Sequence, residues 1–302
     1  MSVPLAYLGI IVIWTTTPLA IKWSGEEVGF LFAVTARMAI AFVICFAIVL
    51  VWKKRLPMNW RSLHVYVAMA FPLFIGMTST YWGAQYLPSG VISVLFGLVP
   101  FFTGILASIW LKEKSFNTPR VIGLLLGMLG LTIVFYKSVL ISESMLFGIF
   151  GVLLGAAMHA LSTVWMKRVA KEFSAISANT GGLIIVIFLF SITWLLSNES
   201  LPEVIPDYVG ASILYLGVAG SVFGALLFFY TLKHVDANTI GLLPLITPIT
   251  ALLLGHYLND EVVEIETVVG TATIICGLIV YQWSSFFVLS YEKVRKAKKE
   301  IR

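Results

Sequence analysis

Charged side chains are scarce in this sequence of 302 residues: they make up 12% against 59% hydrophobic, where an ordinary soluble domain has about 25% and 45–50%. The long apolar stretches contain no Asp or Glu. That removes the carboxylate pairs of acid–base chemistry. The four histidines are isolated from one another, and neither G-x-S-x-G nor H-E-x-x-H occurs, so no constellation of an intramembrane enzyme is present. The only two cysteines, Cys45 and Cys276, both lie in apolar stretches. They form no disulfide framework or metal-ligand spacing, and packing is their expected role. No cofactor, metal or nucleic-acid partner is expected.

What fills the chain instead is apolar sequence in runs of about 20 residues, the length that crosses a hydrocarbon core about 30 Å thick. Ten such runs are predicted, at 4–21, 30–52, 64–86, 89–111, 119–136, 145–166, 174–196, 208–232, 237–258 and 267–288. The first has no Lys or Arg before it and no small-residue cleavage site after it, so it reads as a helix and not as a signal peptide. The predicted fold class is an all-α integral membrane protein.

Lys and Arg concentrate in the connections after runs two (Lys53, Lys54, Arg55, Arg61), four (Lys112, Lys114, Arg120), six (Lys167, Arg168, Lys171) and eight (Lys233), and in the tail "YEKVRKAKKEIR". The connections after runs seven and nine carry Glu199, Glu203, Asp207, Asp260, Glu261, Glu264 and Glu266 without a single Lys or Arg. Positive charge stays on the cytoplasmic side. Both termini are therefore expected in the cytoplasm, in a multi-pass plasma-membrane protein. Trp23, Trp52, Trp110, Trp165, Trp194 and Trp283 fall near run ends, as an interfacial belt does, whereas Trp14 sits inside the first run.

Two stretches share a layout: "GLVPFFTGILASIWLKEK" from Gly97 and "PLITPITALLLGHYLNDE" from Pro244. Sliding the chain by 148 residues lays Pro100 on Pro248, Glu113 on Glu261 and Gly76 on Gly224; a one-residue adjustment lays Gly123 on Gly270 and Gly130 on Gly277. This reads as a duplicated five-helix unit, residues 1–140 and 141–290, followed by a basic cytoplasmic tail at 291–302. Five is odd, so the second copy enters the membrane from the other side. The two halves form inverted repeats, the layout of carriers that expose a midplane site alternately to either face.

The stretches "YLPSGVISVLFGLVPFFTGILASIWLKEKSFNTPRVIGLLLGMLG" and "HVDANTIGLLPLITPITALLLGHYLNDEVVEIETVVGTATIICG" resemble the EamA repeat of the drug/metabolite transporter superfamily. The resemblance covers essentially the whole chain and includes Trp14 and Arg37. It implies a ten-helix exporter or exchanger of small organic solutes, most often in the bacterial inner membrane. The departure is at the end of run nine, where His256, Asn259 and Asp260 replace the small or apolar residues usual before the second Glu.

Arg37 lies ~10 Å deep, from about seven residues at 1.5 Å each. No acidic residue inside a span can pair with it. A solute carboxylate is one partner; the alternative is a structural arginine that snorkels outward or binds helix-end carbonyls, Glu26 or Glu27. His159, near the middle of run six, can bond a solute or carry a proton, or simply pack. Thr78, Tyr81 and Gln85 recur at helical spacing on run three. Run eight offers Tyr215, Ser221 and Tyr230, and run nine Asn238 and Thr247. With Trp14, Thr17, Ser93 and Phe96 these residues outline an aromatic pocket with scattered hydrogen-bonding groups, suited to an amphipathic organic molecule. Pro18, Pro100, Pro244 and Pro248 free backbone carbonyls and bend helices, and Pro18, Pro100 and Pro248 are candidate gates. Glycines in runs five, six and eight read as close-packing faces, and runs five and ten are expected to pair.

The expected function is a monomeric secondary transporter, an exporter of small organic metabolites such as amino acids, with protons as a candidate co-substrate. An exchanger of phosphorylated or nucleotide-linked sugars is the alternative carrier, but only Arg37 is a deep cation where several would be needed. A channel, which would show a charged ring or filter loop, and a non-transporting receptor are the other classes.

Overall fold

In the computed structural model, residues 2–112, 118–141, 143–170, 173–197, 199–234 and 243–300 are described. All regular secondary structure among them is helical: α1 (Val3–Gly25), α2 (Phe30–Val51), α3 (Trp60–Ala84), α4 (Ser89–Phe96), α5 (Val99–Trp110), α6 (Thr118–Ile141), α7 (Glu143–Val169), α8 (Ala175–Ser197), α9 (Asp207–Tyr215), a π-helix at Leu216–Phe223, α10 (Gly224–His234), α11 (Leu243–Asn259) and α12 (Ile265–Glu300). Glu113, Lys114, Lys171 and Asn238 lie outside the described residues.

Lipid offers no hydrogen bonds to a backbone, so an apolar chain crossing it must satisfy its peptide groups internally, as a helix does. Among the described residues eight helical spans are long and apolar enough to cross a bilayer, and apolar helices at 118–134 and 243–259 are shorter. Together they match the ten runs read from the sequence.

Three departures from ten plain helices matter. The fourth span is broken: α4 stops at Phe96, Gly97 and Leu98 form a turn, and α5 starts at Val99. Pro100 therefore does not bend a helix from within but occupies the first turn of a new one, where its missing N–H costs nothing. Its counterpart Pro248 lies inside the continuous α11. The eighth span carries eight residues of π-helix, a rare state frequently found at functional sites. The last helix does not end with the membrane run but continues to Glu300.

Small residues set the pairings. α3 lies along α7, where a Cβ on Gly83 would stand 2.6 Å from the Gly148 carbonyl oxygen and one on Gly76 3.4 Å from that of Gly155. α6 pairs with α12 as expected. A Cβ on Gly130 would stand 2.6 Å from the Gly270 carbonyl oxygen. Without a hydrophobic drive between helices in lipid, such backbone approach is what holds them together. α2 packs between α8 and the π segment, α1 against the π segment, α10 and α11, and α5 leans on α7. α4 packs on α11, with Gly90 against Leu252 and Gly97 near Pro248.

Candidate functional site

The eighth span is the spine of the site. Beginning at Tyr215, it meets α1, then α2, then α1 again through polar and aromatic side chains, and Arg37 of α2 carries the contact on to Tyr81 of α3.

Tyr215 comes first. Thr16 donates from Oγ1 to the Val12 carbonyl at 2.7 Å, which commits its proton, so the Tyr215 hydroxyl is the donor in the 2.5 Å bond between Tyr215 and Thr16. Thr16 belongs to the run Thr15-Thr16-Thr17 ahead of Pro18, and each threonine serves a different partner. Thr15 bonds Thr250 of α11 at 2.9 Å. Thr17 turns back onto its own helix, donating to the Ile13 carbonyl at 2.6 Å. Pro18 has no N–H to donate, so the Trp14 carbonyl loses its helical partner.

Ser221, within the π segment, meets Arg37. Arg37 is only 3% exposed. It donates from Nε to Ser221 Oγ at 3.0 Å and from Nη1 to the Tyr81 hydroxyl at 3.3 Å, and its guanidinium lies 5.9 Å from the Tyr81 ring centroid. Gly220 makes room, since a Cβ there would stand 3.3 Å from Arg37 Nη2. Tyr81 is itself 1% exposed. Arg37 thus ties α2 to α3 and to the π segment. It does not snorkel. Nor does it take Glu26 or Glu27, which instead accept hydrogen bonds from the Tyr208 hydroxyl at 3.3 and 3.0 Å. Among the described residues no carboxylate bonds Arg37.

Further along, Gly224 lies against Ile13 and the Trp14 indole, and Trp14 stacks on Phe228 with centroids 5.3 Å apart. The structure therefore gathers Trp14, Thr16, Arg37, Tyr81, Tyr215 and Ser221 along one helix.

The other expected positions are more scattered. Ser93 and Thr247 are buried on α4 and α11, and Phe96 is half-buried at the end of α4. Tyr230, two residues after Trp14's partner Phe228, stacks on His234 at 4.3 Å. Gln85 is separated from Tyr81: its amide donates to the Trp82 carbonyl at 3.1 Å, and it lines a cavity of about 480 Å³ at the α3–α4 turn. Thr78 turns back onto its own helix, donating to the Phe74 carbonyl at 2.7 Å. His159 is exposed on α7. Thr163 bonds its carbonyl at 3.0 Å, and its imidazole has no hydrogen bond among the described residues.

Thr15, Thr16 and Thr250 escaped the sequence reading, although the Thr-Thr-Thr-Pro run was a visible signal. So did the network around Glu261 described below. No group of three or more His, Cys, Asp or Glu among the described residues forms a metal site.

Comparison with known proteins agrees with the fold. An aligned crystal structure of another protein, 18% identical, superimposes with a TM-score of 0.66 over 93% of this chain and 96% of its own; at that identity it shows the fold alone. An uncharacterized transporter of Bacillus subtilis, YoaV, is 27% identical over 97% of this chain and its own full length. An uncharacterized transporter of Archaeoglobus fulgidus is 26% identical over 88% of this chain and 94% of its own. Protein PagO of Salmonella typhimurium is 23% identical over 92% of each. One family model matches the chain twice, over residues 1–136 and again over 146–282. This multi-pass membrane protein belongs to the EamA-like transporter family.

Proposed function

We propose that the protein is a secondary transporter that exports small organic metabolites carrying a carboxylate, amino acids first among them, by alternating access between two inverted halves. The observation that carries the reading is Arg37: a guanidinium buried at 3% exposure, held by the neutral hydroxyls of Ser221 and Tyr81, and bonded to no carboxylate among the described residues. A charge inside a membrane span costs about 2.5–3.5 kcal/mol on insertion scales and tends to mark a pathway. A planar fork whose remaining donors meet no carboxylate among the described residues suits a solute carboxylate. The Trp14–Phe228 stack and the Tyr215–Thr16 pair supply apolar and polar walls for the rest of an amphipathic molecule.

Inverted halves are supported by the pairing pattern. Exchanging each span for its counterpart five places along turns the α3–α7 contact into the contact of α1 with the eighth span, and leaves α2–α8, α4–α11 and α6–α12 in place. The basic and acidic connections support termini on the cytoplasmic side of the membrane. A sugar-phosphate exchanger is disfavoured by the lone deep cation.

Uptake of a metabolite panel into proteoliposomes, with and without a pH gradient, tests the proposal. Saturable flux of amino acids or other carboxylates is expected. Non-saturating flux would make the protein a channel, and no flux of any solute would make it a receptor.

A further inference from the structure

The paired Glu residues of the two halves invite the question of what Glu261 touches. It does not stay in its own loop. Oε1 accepts from the Ser89 backbone N–H at 2.9 Å, and Oε2 accepts from the Ser89 hydroxyl at 3.0 Å and the Gly90 N–H at 3.3 Å. These are first-turn groups of α4, which have no helical partner and sit at the positive end of a helix. A carboxylate from the second half, 172 residues away, therefore caps a helix of the first.

The surroundings hold that carboxylate in place. The Asn259 amide donates from Nδ2 to Oε1 at 2.9 Å, and Asn259 Oδ1 accepts from the Trp23 indole at 2.7 Å. The His256 ring donates from Nδ1 to the Glu261 carbonyl at 3.0 Å. Lys22 donates to the Leu87 carbonyl at 3.0 Å, tying the end of α1 to the turn ahead of α4. Gly255 and Gly90 make the slot. A Cβ on Gly255 would collide with Glu261 Oε2, and one on Gly90 would stand 2.9 Å from Leu252 Cα. So α1, α4 and α11 are bolted together at one end of the membrane. Away from the bolt the fourth span breaks at Gly97 and Leu98 and α5 leans on α7 instead of α11.

We infer that Glu261 is the latch of the transport pathway on the face opposite the termini: while its carboxylate caps Ser89 and Gly90 that face is shut, and withdrawal of the carboxylate from α4 is the step that opens it. The inference rests on the proposed alternating access between two halves, which Glu261 joins by capping a helix of the first half from the second. Capping suits a latch because its bonds are few, local and regained each time the helices close, while the Gly97–Leu98 break lets α4 move separately from α5. The cavity of about 480 Å³ lined by Lys22, Gln85, Met145, Asn259, Glu261 and Glu264 leaves the latch reachable by water from that face.

The test needs no knowledge of the solute. Ser93, 3% exposed and one turn beyond Gly90 on α4, is replaced by cysteine in a Cys276→Ser background, Cys45 being fully buried. A charged, membrane-impermeant maleimide is applied separately to each face of oriented membrane vesicles. Glu261→Ala is expected to raise the labelling rate from the latch face about tenfold, Asn259→Ala and Ser89→Ala by a smaller factor, and Glu261→Gln least, because its amide oxygen still accepts. An unchanged rate in folded Glu261→Ala protein overturns the inference. If Glu261→Ala fails to fold, Asn259→Ala and Ser89→Ala decide, and unchanged labelling in both overturns it equally. Absence of flux for every solute would sink the transport proposal while leaving the labelling result intact, so the two failures are distinguishable.

Discussion

Gly123 and Gly277 lie back to back: a Cβ on Gly123 would stand 2.5 Å from the Gly277 carbonyl oxygen, and one on Gly277 2.7 Å from the Gly123 carbonyl oxygen and 3.1 Å from Leu126 Cβ. Neither helix can accept a side chain there without moving apart. Gly277→Leu is expected to destabilise the protein by about 1–3 kcal/mol, the usual cost of overpacking, read as a lower unfolding temperature in detergent. Gly123→Leu should act alike. Unchanged unfolding temperatures in both variants would count against the α6–α12 pairing.

Arg37 supplies the second prediction. Arg37→Gln keeps approximate length and hydrogen bonding but loses the charge and the bidentate fork. Normal insertion and folded yield are expected, with loss of amino-acid flux and a milder loss for an analogous solute lacking the carboxylate. Tyr81→Phe and Ser221→Ala each remove one hydroxyl that orients the guanidinium. A bond to a charged group is worth about 1.5–3 kcal/mol, so each should weaken transport by at least about tenfold. Equal flux of every solute in Arg37→Gln would take Arg37 out of the site, and loss of folded protein would make it a structural strut.

Much of this could be anticipated, for a physical reason: lipid forces every apolar run into a helix, so run boundaries and glycine faces translate directly into spans and pairings. The α6–α12 partnership was readable from Gly123, Gly130, Gly270 and Gly277 alone. What escaped was whatever depends on a distant partner or on local hydrogen-bond choice. Thr15 finds Thr250 across 235 residues, and Glu261 finds Ser89 across 172, distances over which periodicity carries no information. Nothing in LGVAGSVF marks it as π-helix, because glycine, alanine and valine serve α-helix equally well; the wider turn is visible only with Arg37 and Ser221 in contact. Pro100 and Pro248 look equivalent by spacing, yet one opens a new helix and the other lies inside one, since the turn at Gly97–Leu98 relieves the first but not the second.

Orientation gives the third prediction. The connections on the side of the termini carry most of the Lys and Arg, Lys22 and Lys137 being the exceptions, and those after runs seven and nine on the other side carry Glu and Asp without Lys or Arg, so an alkaline phosphatase fused at the C-terminus should be inactive and a fluorescent protein there bright. Active phosphatase would reverse the topology and move the Glu261 latch to the cytoplasmic face.

His159 supplies the last. It is exposed in the middle of α7, and no hydrogen bond among the described residues occupies its ring nitrogens. An imidazole is the side chain that exchanges protons most readily near neutral pH. The spans contain no Asp or Glu to do so in its place. If His159 carries the coupled proton, His159→Gln, which keeps a polar side chain of similar reach but cannot titrate, should still move solute down its own gradient while losing the stimulation by an imposed pH gradient, the ratio of flux with and without the gradient falling to about one. Wild-type protein should show a ratio well above one in the same vesicles. A His159→Gln variant that keeps the wild-type ratio would remove His159 from coupling. A ratio of one in both proteins would mean that export is driven by the solute gradient alone.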